Sequence, residues 1–264
     1  MERLNFALIQ QDIVWEDAHA NLNRFEESIG SVLLPCDLII LPEMFNTGFT
    51  MHVEKCAEPA TGDTLLWMKN QAASMSCIIA GSVLTVEKDK FFNRFYWVKP
   101  DGSYEFYDKR HLFTMADEHL VMTHGQFPKI VHLKGWKINL QVCYDLRFPV
   151  WSRNRYAEGT YAYDLMIYIA NWPEKRNSAY KALLPARAIE NQCYVVYVNR
   201  VGKDGHGIAH TGDSMVIDAS GKILLTCKSG VEQVMNISAS LSSLHDFRKR
   251  YFFAPDWDRF TVAR

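Results

Sequence analysis

No charge of either sign dominates this 264-residue chain: 29 Lys and Arg stand against 30 Asp and Glu, a formal net charge of -1. Nucleic-acid binders gather basic residues on one face to displace phosphate counterions. The basic clusters here, Lys109-Arg110-His111 and Arg248-Lys249-Arg250, are short, so no nucleic-acid partner is expected. Long apolar runs are also missing. None approaches the ~20 residues of a membrane span, so no membrane partner is expected. The start, Met1 to Gln10, has neither the apolar core nor the small-residue cleavage site of a secretory signal. The six cysteines (Cys36, Cys56, Cys77, Cys143, Cys193 and Cys227) form no C-x-x-C pair, which argues against structural zinc. Several fall in runs that read as buried strands, the setting of reduced thiols in the cytoplasm. With 48% hydrophobic residues the chain is not disordered, and its length is ample for a large core.

What the chain does contain is strand-length apolar runs alternating with longer amphipathic segments, the pattern of an α/β fold. The first half predicts strands over Leu4 to Gln10, Asp37 to Leu41, Cys77 to Leu84, Phe95 to Lys99 and Tyr104 to Tyr107. Its helices are expected over Ala18 to Leu34 and Asp63 to Met75. The second half repeats the order, with strands over Lys137 to Val142, Asp164 to Ala170, Cys193 to Asn199, Ser214 to Asp218 and Lys222 to Thr226. Helices are expected there over Pro149 to Glu158 and Asn177 to Asn191, the latter with a kink or restart at Pro185. Short stretches look alike: Asp37-Leu38-Ile39-Ile40-Leu41 matches Asp164-Leu165-Met166-Ile167-Tyr168, and Cys77-Ile78-Ile79-Ala80 resembles Cys193-Tyr194-Val195-Val196. Two related half-domains follow, each a sheet with helices on one face. Stacking the two bare faces gives a four-layer α-β-β-α sandwich. No linker separates the halves, so residues 1–264 read as a single domain. The stretch from Lys109 to Lys134 predicts a long ordered loop over the sheet ends. The aromatic tail, about 245–264, is expected to pack on the domain or on a partner subunit.

Sites in such sheets form beyond the C-terminal ends of strands. Three segments end there on a reactive side chain: Leu38 to Glu43 on a carboxylate, Tyr104 to Lys109 on an amine, Ile138 to Cys143 on a thiol. Singly, each has an ordinary alternative: a buried Cys acts as a small hydrophobe, a Glu caps or pairs at the surface, and a Lys within a charge run is solvated. Together they supply a nucleophile, a proton carrier and a cation for a developing oxyanion, which is what cleavage of an unactivated amide requires.

Leu41-Pro42-Glu43-Met44-Phe45, Tyr107-Asp108-Lys109-Arg110-His111-Leu112-Phe113 and Cys143-Tyr144-Asp145-Leu146-Arg147-Phe148-Pro149 come in the order and spacing of the nitrilase superfamily of carbon-nitrogen hydrolases, which this chain resembles. Asn171-Trp172-Pro173, Arg187-Ala188-Ile189-Glu190-Asn191-Gln192 and Gly212-Asp213-Ser214 extend the resemblance over nearly the whole chain. It implies a Glu-Lys-Cys triad at Glu43, Lys109 and Cys143, with Glu118 as a second carboxylate orienting it. On this reading Cys143 attacks the carbonyl carbon and Glu43 carries the proton. Lys109 and the backbone N–H of Tyr144 hold the oxyanion, and water hydrolyses the resulting thioester. No metal or organic cofactor is required.

Tyr144-Asp145 after the cysteine is similar to the amidase branches rather than to true nitrilases. His111-Leu112-Phe113-Thr114-Met115-Ala116-Asp117-Glu118-His119 with Asn171-Trp172-Pro173 resembles the bacterial omega-amidases. That implies a small-molecule substrate, the terminal amide of a 2-oxo acid such as 2-oxoglutaramate or 2-oxosuccinamate. Its remote carboxylate favours an arginine, Arg176 first and Arg147 second, with Phe45, Met115, Trp172 and Tyr180 as pocket walls. Rival readings are an N-carbamoyl amino-acid or aliphatic amidase with the same triad, and a non-catalytic scaffold of the same fold. The resemblance and the tail also imply a homodimer or larger homo-oligomer.

Overall fold

The computed structural model describes residues 3–262; Met1, Glu2 and the last two tail residues, Ala263 and Arg264, lie outside the described residues. Two large sheets are stacked. In the first the strands run Gln233–Ser240, Arg3–Gln10, Leu38–Ile40, Ile78–Glu87, Lys90–Val98, Tyr104–Asp108, with Glu58–Pro59 paired onto Ile78–Glu87. In the second they run Ile130–Leu133, Trp136–Val142, Leu165–Ala170, Tyr194–Asn199, Met215–Ile217, Ile223–Thr226. The orders are equivalent: three parallel strands at the centre, one antiparallel strand on one side and two on the other. The likeness reaches single hydrogen bonds. Asp37 accepts the N–H of Asn5 on its carboxylate, and Asp164 accepts that of Lys137 in the same way.

Alternation along the strands creates the layers, because successive side chains point to opposite faces. Phe6, Leu8, Leu38, Ile40 and Trp97 of the first sheet form one buried cluster with Ile138, Leu140, Ile167, Ile169 and Val196 of the second. The intervening Ala7, Ile9 and Ile39 face outward, under Phe25 and Ile29 of helix Ala18–Gly30 and Leu65 and Met68 of helix Asp63–Met75. On the other side Met166, Tyr168, Val195 and Tyr197 lie beneath Tyr180, Leu184 and Ala188 of helix Asn177–Asn191. The result is the expected α-β-β-α order.

Local chemistry sets the helix limits. Asp17 caps the first helix by accepting the N–H of Ala20 at 2.9 Å. The helices Asp63–Met75 and Asn177–Asn191 stop where Ser76 and Gln192 turn left-handed. Asn177–Asn191 runs through Pro185 as one helix, without the restart that was one of the two expectations there. The helical donor lost there is the one to the carbonyl of Lys181, an exposed residue.

Several segments differ from the sequence reading. The helix expected over Pro149 to Glu158 covers only Pro149–Ser152. Glu158 and Gly159, both at positive φ, instead turn the chain into a hairpin pairing Tyr156–Ala157 with Thr160–Tyr161. The Lys109 to Lys134 stretch contains a 3-10 turn at Thr114–Ala116, a short helix at Glu118–Val121 and the edge strand Ile130–Leu133. The edge strand Gln233–Ser240 and the helix Leu241–Arg250 were not anticipated. In the tail, Phe252 packs edge-on to Tyr156 and Trp257 edge-on to Tyr161, while Arg153 lies over Trp257.

Candidate active site

Cys143 follows the last residue of strand Trp136–Val142 and opens a 3-10 turn that runs to Arg147. Its φ of 43° lies in the left-handed region that residues other than glycine seldom adopt. Such a bend lifts a side chain off the end of a sheet. Glu43 leaves strand Leu38–Ile40, Lys109 leaves Tyr104–Asp108, and Asn171 leaves Leu165–Ala170. The two sheets therefore deliver their strand ends to one cavity of about 430 Å³, which Glu43, Lys109, Cys143 and Asn171 line together.

The floor of that cavity is a buried ion cluster. Lys109 Nζ donates to Glu43 Oε1 at 2.8 Å and to the two oxygens of Glu118 at 2.9 and 3.0 Å. All three side chains are buried. Asn93 donates to Glu43 Oε1 at 2.8 Å and more weakly to Glu118 at 3.4 Å. The backbone N–H of Asn171 reaches Glu43 Oε2 at 2.8 Å, and the N–H of Phe113 reaches Glu118. Burial by itself would lower the pKa of Lys109, but Glu118 and Glu43 outweigh it and hold the ammonium protonated. Glu118 is pushed upward by burial and by Glu43, against the pull of Lys109. Burial and the Glu43 carboxylate push the Cys143 thiol well above its usual range, with Lys109 acting in the opposite sense. The sulfur is thus held as the thiol rather than the thiolate.

A model of the carbon-nitrogen hydrolase family matches residues 5–249, nearly the whole described chain. The chain belongs to the carbon-nitrogen hydrolase family. It is 44% identical to the omega-amidase YafV of Escherichia coli (strain K12) over 262 residues, 99% of this chain and 100% of that one. It is 32% identical to the 2-oxoglutaramate amidase of Bacillus subtilis over 219 residues, 82% and 83% of the two chains. Its structure is similar to that of XC1258 from Xanthomonas campestris, a CN-hydrolase superfamily protein with an arsenic adduct in the active site. The TM-score is 0.97 at 41% identity, covering 100% of both chains.

Within this family member the residues singled out from sequence divide in two. Glu43, Lys109, Cys143, Tyr144, Arg147, Trp172, Arg176 and Met115 line the cavity, Met115 at its exposed rim, and Glu118 lies beneath Lys109. Arg147 lies over the Trp172 ring and Arg176 over the Phe113 ring. Neither forms an ion pair with a carboxylate among the described residues. Phe45 and Tyr180 are elsewhere. Phe45 points into the outer layer, edge-on to Phe25. Tyr180 stacks on Tyr197 and donates to Asp213 at 2.6 Å on the helix side of the second sheet.

The sequence reading also missed residues that line the cavity or lie beneath it. Asn93 interrupts the aromatic run Phe91-Phe92-Asn93-Arg94-Phe95-Tyr96-Trp97, and a polar residue on the inner side of a strand is the signal that points to it. Phe49, under the Lys109 ammonium at 4.9 Å, carries no such mark. Lys175, Asp204, His206 and His210 complete one wall. His210 is buried, and burial followed by the charge of Arg200 pushes its pKa down to about 4. Its Nδ1 faces the carbonyl of Ile208 at 3.0 Å. Among the described residues no group of three His, Cys, Asp or Glu is placed to hold a metal ion.

Proposed function

We propose that this carbon-nitrogen hydrolase is an omega-amidase that cleaves the terminal amide of small 2-oxo acid amides, such as 2-oxoglutaramate and 2-oxosuccinamate, to the acid and ammonia. The observation that carries the reading is the composition of one cavity. A thiol, a carboxylate and an ammonium converge at its floor, and two arginines with no carboxylate partner among the described residues stand in its wall. A substrate with an amide at one end and a carboxylate at the other fits that division. The name of the Escherichia coli relative, 44% identical end to end, agrees with it.

In this reading the Cys143 thiol gives its proton to Glu43 as sulfur adds to the amide carbon. The tetrahedral oxyanion is held by Lys109 and the backbone N–H of Tyr144, each donor of this kind lowering a barrier by about 3 kcal/mol. Glu43 returns the proton to nitrogen, the C–N bond breaks and ammonia leaves a thioester on Cys143. Glu43 then takes a proton from water as hydroxide adds to the thioester carbon, and on collapse the C–S bond breaks, Glu43 returns the proton to sulfur, and the acid and the thiol are freed. Glu118 keeps Lys109 charged and in place throughout. The same reading takes the chain as a single domain acting in the cytoplasm, where its six unpaired thiols stay reduced. It acts as a homodimer or larger assembly, which would cover exposed apolar residues such as Val150 and Ile189.

Ammonia release from 2-oxoglutaramate, 2-oxosuccinamate, an N-carbamoyl amino acid, a neutral aliphatic amide and a nitrile tests the proposal, with Cys143→Ala as control. Preference for the 2-oxo acid amides, abolished in the control, is expected. Preference for another member keeps the chemistry and overturns the substrate; full activity in the control removes Cys143 as nucleophile.

A further inference from the structure

Cys143 and Lys109 belong to different sheets, and something has to hold the bend of one against the strand end of the other. The side chain two residues past Cys143 spans that gap. Asp145 is wholly buried. Its Oδ2 accepts the backbone N–H of Val142 at 3.0 Å and the hydroxyl of Tyr107 at 2.8 Å. Its Oδ1 accepts the backbone N–H of His111 at 3.0 Å and the ring Nδ1–H of His111 at 2.7 Å, the tautomer being set because a carboxylate only accepts. Val142 and Asp145 bracket Cys143, while Tyr107 and His111 bracket Lys109. One carboxylate therefore fastens both flanks of the nucleophile to both flanks of the ammonium.

We propose that Asp145 is a positioning residue for amide hydrolysis, fixing the distance between the Cys143 sulfur and the Lys109 ammonium without touching substrate. This rests on the reading of Cys143 and Lys109 given above. Three observations support a role beyond filling space. The left-handed backbone at Cys143 persists only where its surroundings over-determine it, and the Asp145 to Val142 bond closes that very turn. Four donors converge on a carboxylate removed from water, which offsets the cost of burying its charge. The Tyr107 hydroxyl carries the tie onward, accepting from the N–H of Arg110 at 3.2 Å and from Trp151 Nε1 at 2.9 Å.

The arrangement also makes an isosteric test informative. Each carboxylate oxygen accepts one backbone N–H, so in Asp145→Asn the amide nitrogen opposes a backbone donor whichever way it is turned. With the amide this protein turns over fastest, Asp145→Asn should lower kcat about a hundredfold, the effect of misplacing reacting groups by about 1 Å. KM should stay within threefold, with folded molecules counted by stoichiometric alkylation of Cys143. A kcat within threefold of the parent, or a loss carried by KM, overturns the proposal. If Asp145→Asn does not fold, Tyr107→Phe decides, since it removes one of the four donors: a fall in kcat of about tenfold at constant KM supports positioning, and an unchanged kcat overturns it. Cys143→Ala run alongside separates the failures. Activity surviving in that variant removes the underlying reading, whereas activity surviving only in Asp145→Asn removes the positioning role alone.

Discussion

Two clusters of buried charge sit at opposite ends of the parallel strands, and they are built to different rules. At the N-terminal ends Arg248 meets Asp164 at 2.6 Å, the carbonyl of Tyr163 at 2.8 Å and the carbonyl of Gln192 at 2.9 Å, and lies over the Tyr161 ring. One cation faces one anion, and each of its three guanidinium nitrogens is bonded within the fold. At the C-terminal ends a single ammonium, Lys109, serves two carboxylates, while Arg147 and Arg176 lack any carboxylate partner among the described residues. A balanced pair leaves no net charge for a ligand to meet. An unbalanced set, with a cavity between its excess anions and its excess cations, retains capacity for a proton and for an anionic group.

Substitutions sharpen that contrast in decreasing order of effect. Lys109→Met strands Glu43 and Glu118 together in the interior, so kcat should fall on the order of a thousandfold. Stability at neutral pH should fall by about 3–5 kcal/mol. Because the Glu118 pKa is already raised, protonation favours the folded form, so the stability deficit should shrink as the pH is lowered; urea titrations across pH read this, and a pH-independent deficit would contradict it. Arg248→Met also leaves a buried carboxylate unpaired and should cost about 3–5 kcal/mol in the same titration, yet kcat of the folded protein should stay within twofold. A large loss of kcat there would erase the distinction between the two clusters. Arg176→Ala has the smallest expected effect. KM for carboxylate-bearing amides should rise roughly tenfold or more, the worth of a charged hydrogen bond of about 1.5–3 kcal/mol, with neutral amides unaffected in the same steady-state assay; equal losses on both would dismiss Arg176 as the anchor.

The sequence made the layers legible because they arise from local alternation: Asp63–Met75 and Asn177–Asn191 have the bounds read from periodicity. The strand Gln233–Ser240 was not legible. It lies at a sheet edge with most side chains half-exposed, and its partner, Arg3–Gln10, is some 230 positions away, so neither a clean alternation nor a nearby hairpin marks it. The site divides in the same way. Glu43, Lys109 and Cys143 end recognisable strands, whereas Asn93, Phe49 and the His210 wall matter only through contacts between distant segments. Phe45 was misplaced because the sequence shows that an aromatic follows Glu43 but not which way the turn after the strand throws its ring.

The equivalent strand order of the two sheets carries a final consequence. Glu43 leaves the middle parallel strand of one half and Asn171 leaves its counterpart in the other, and they bond to each other twice, Asn171 N–H to Glu43 Oε2 and Asn171 Nδ2 to the Glu43 carbonyl at 2.7 Å. Where Cys143 follows the first parallel strand of the second half, Gln11 follows that of the first, and its side-chain carbonyl is spent on the hydroxyl of Ser28. The two repeats are thus unlike at the cavity: one brings the Glu43 carboxylate and the Lys109 ammonium, the other the Cys143 thiol, and neither alone holds all three.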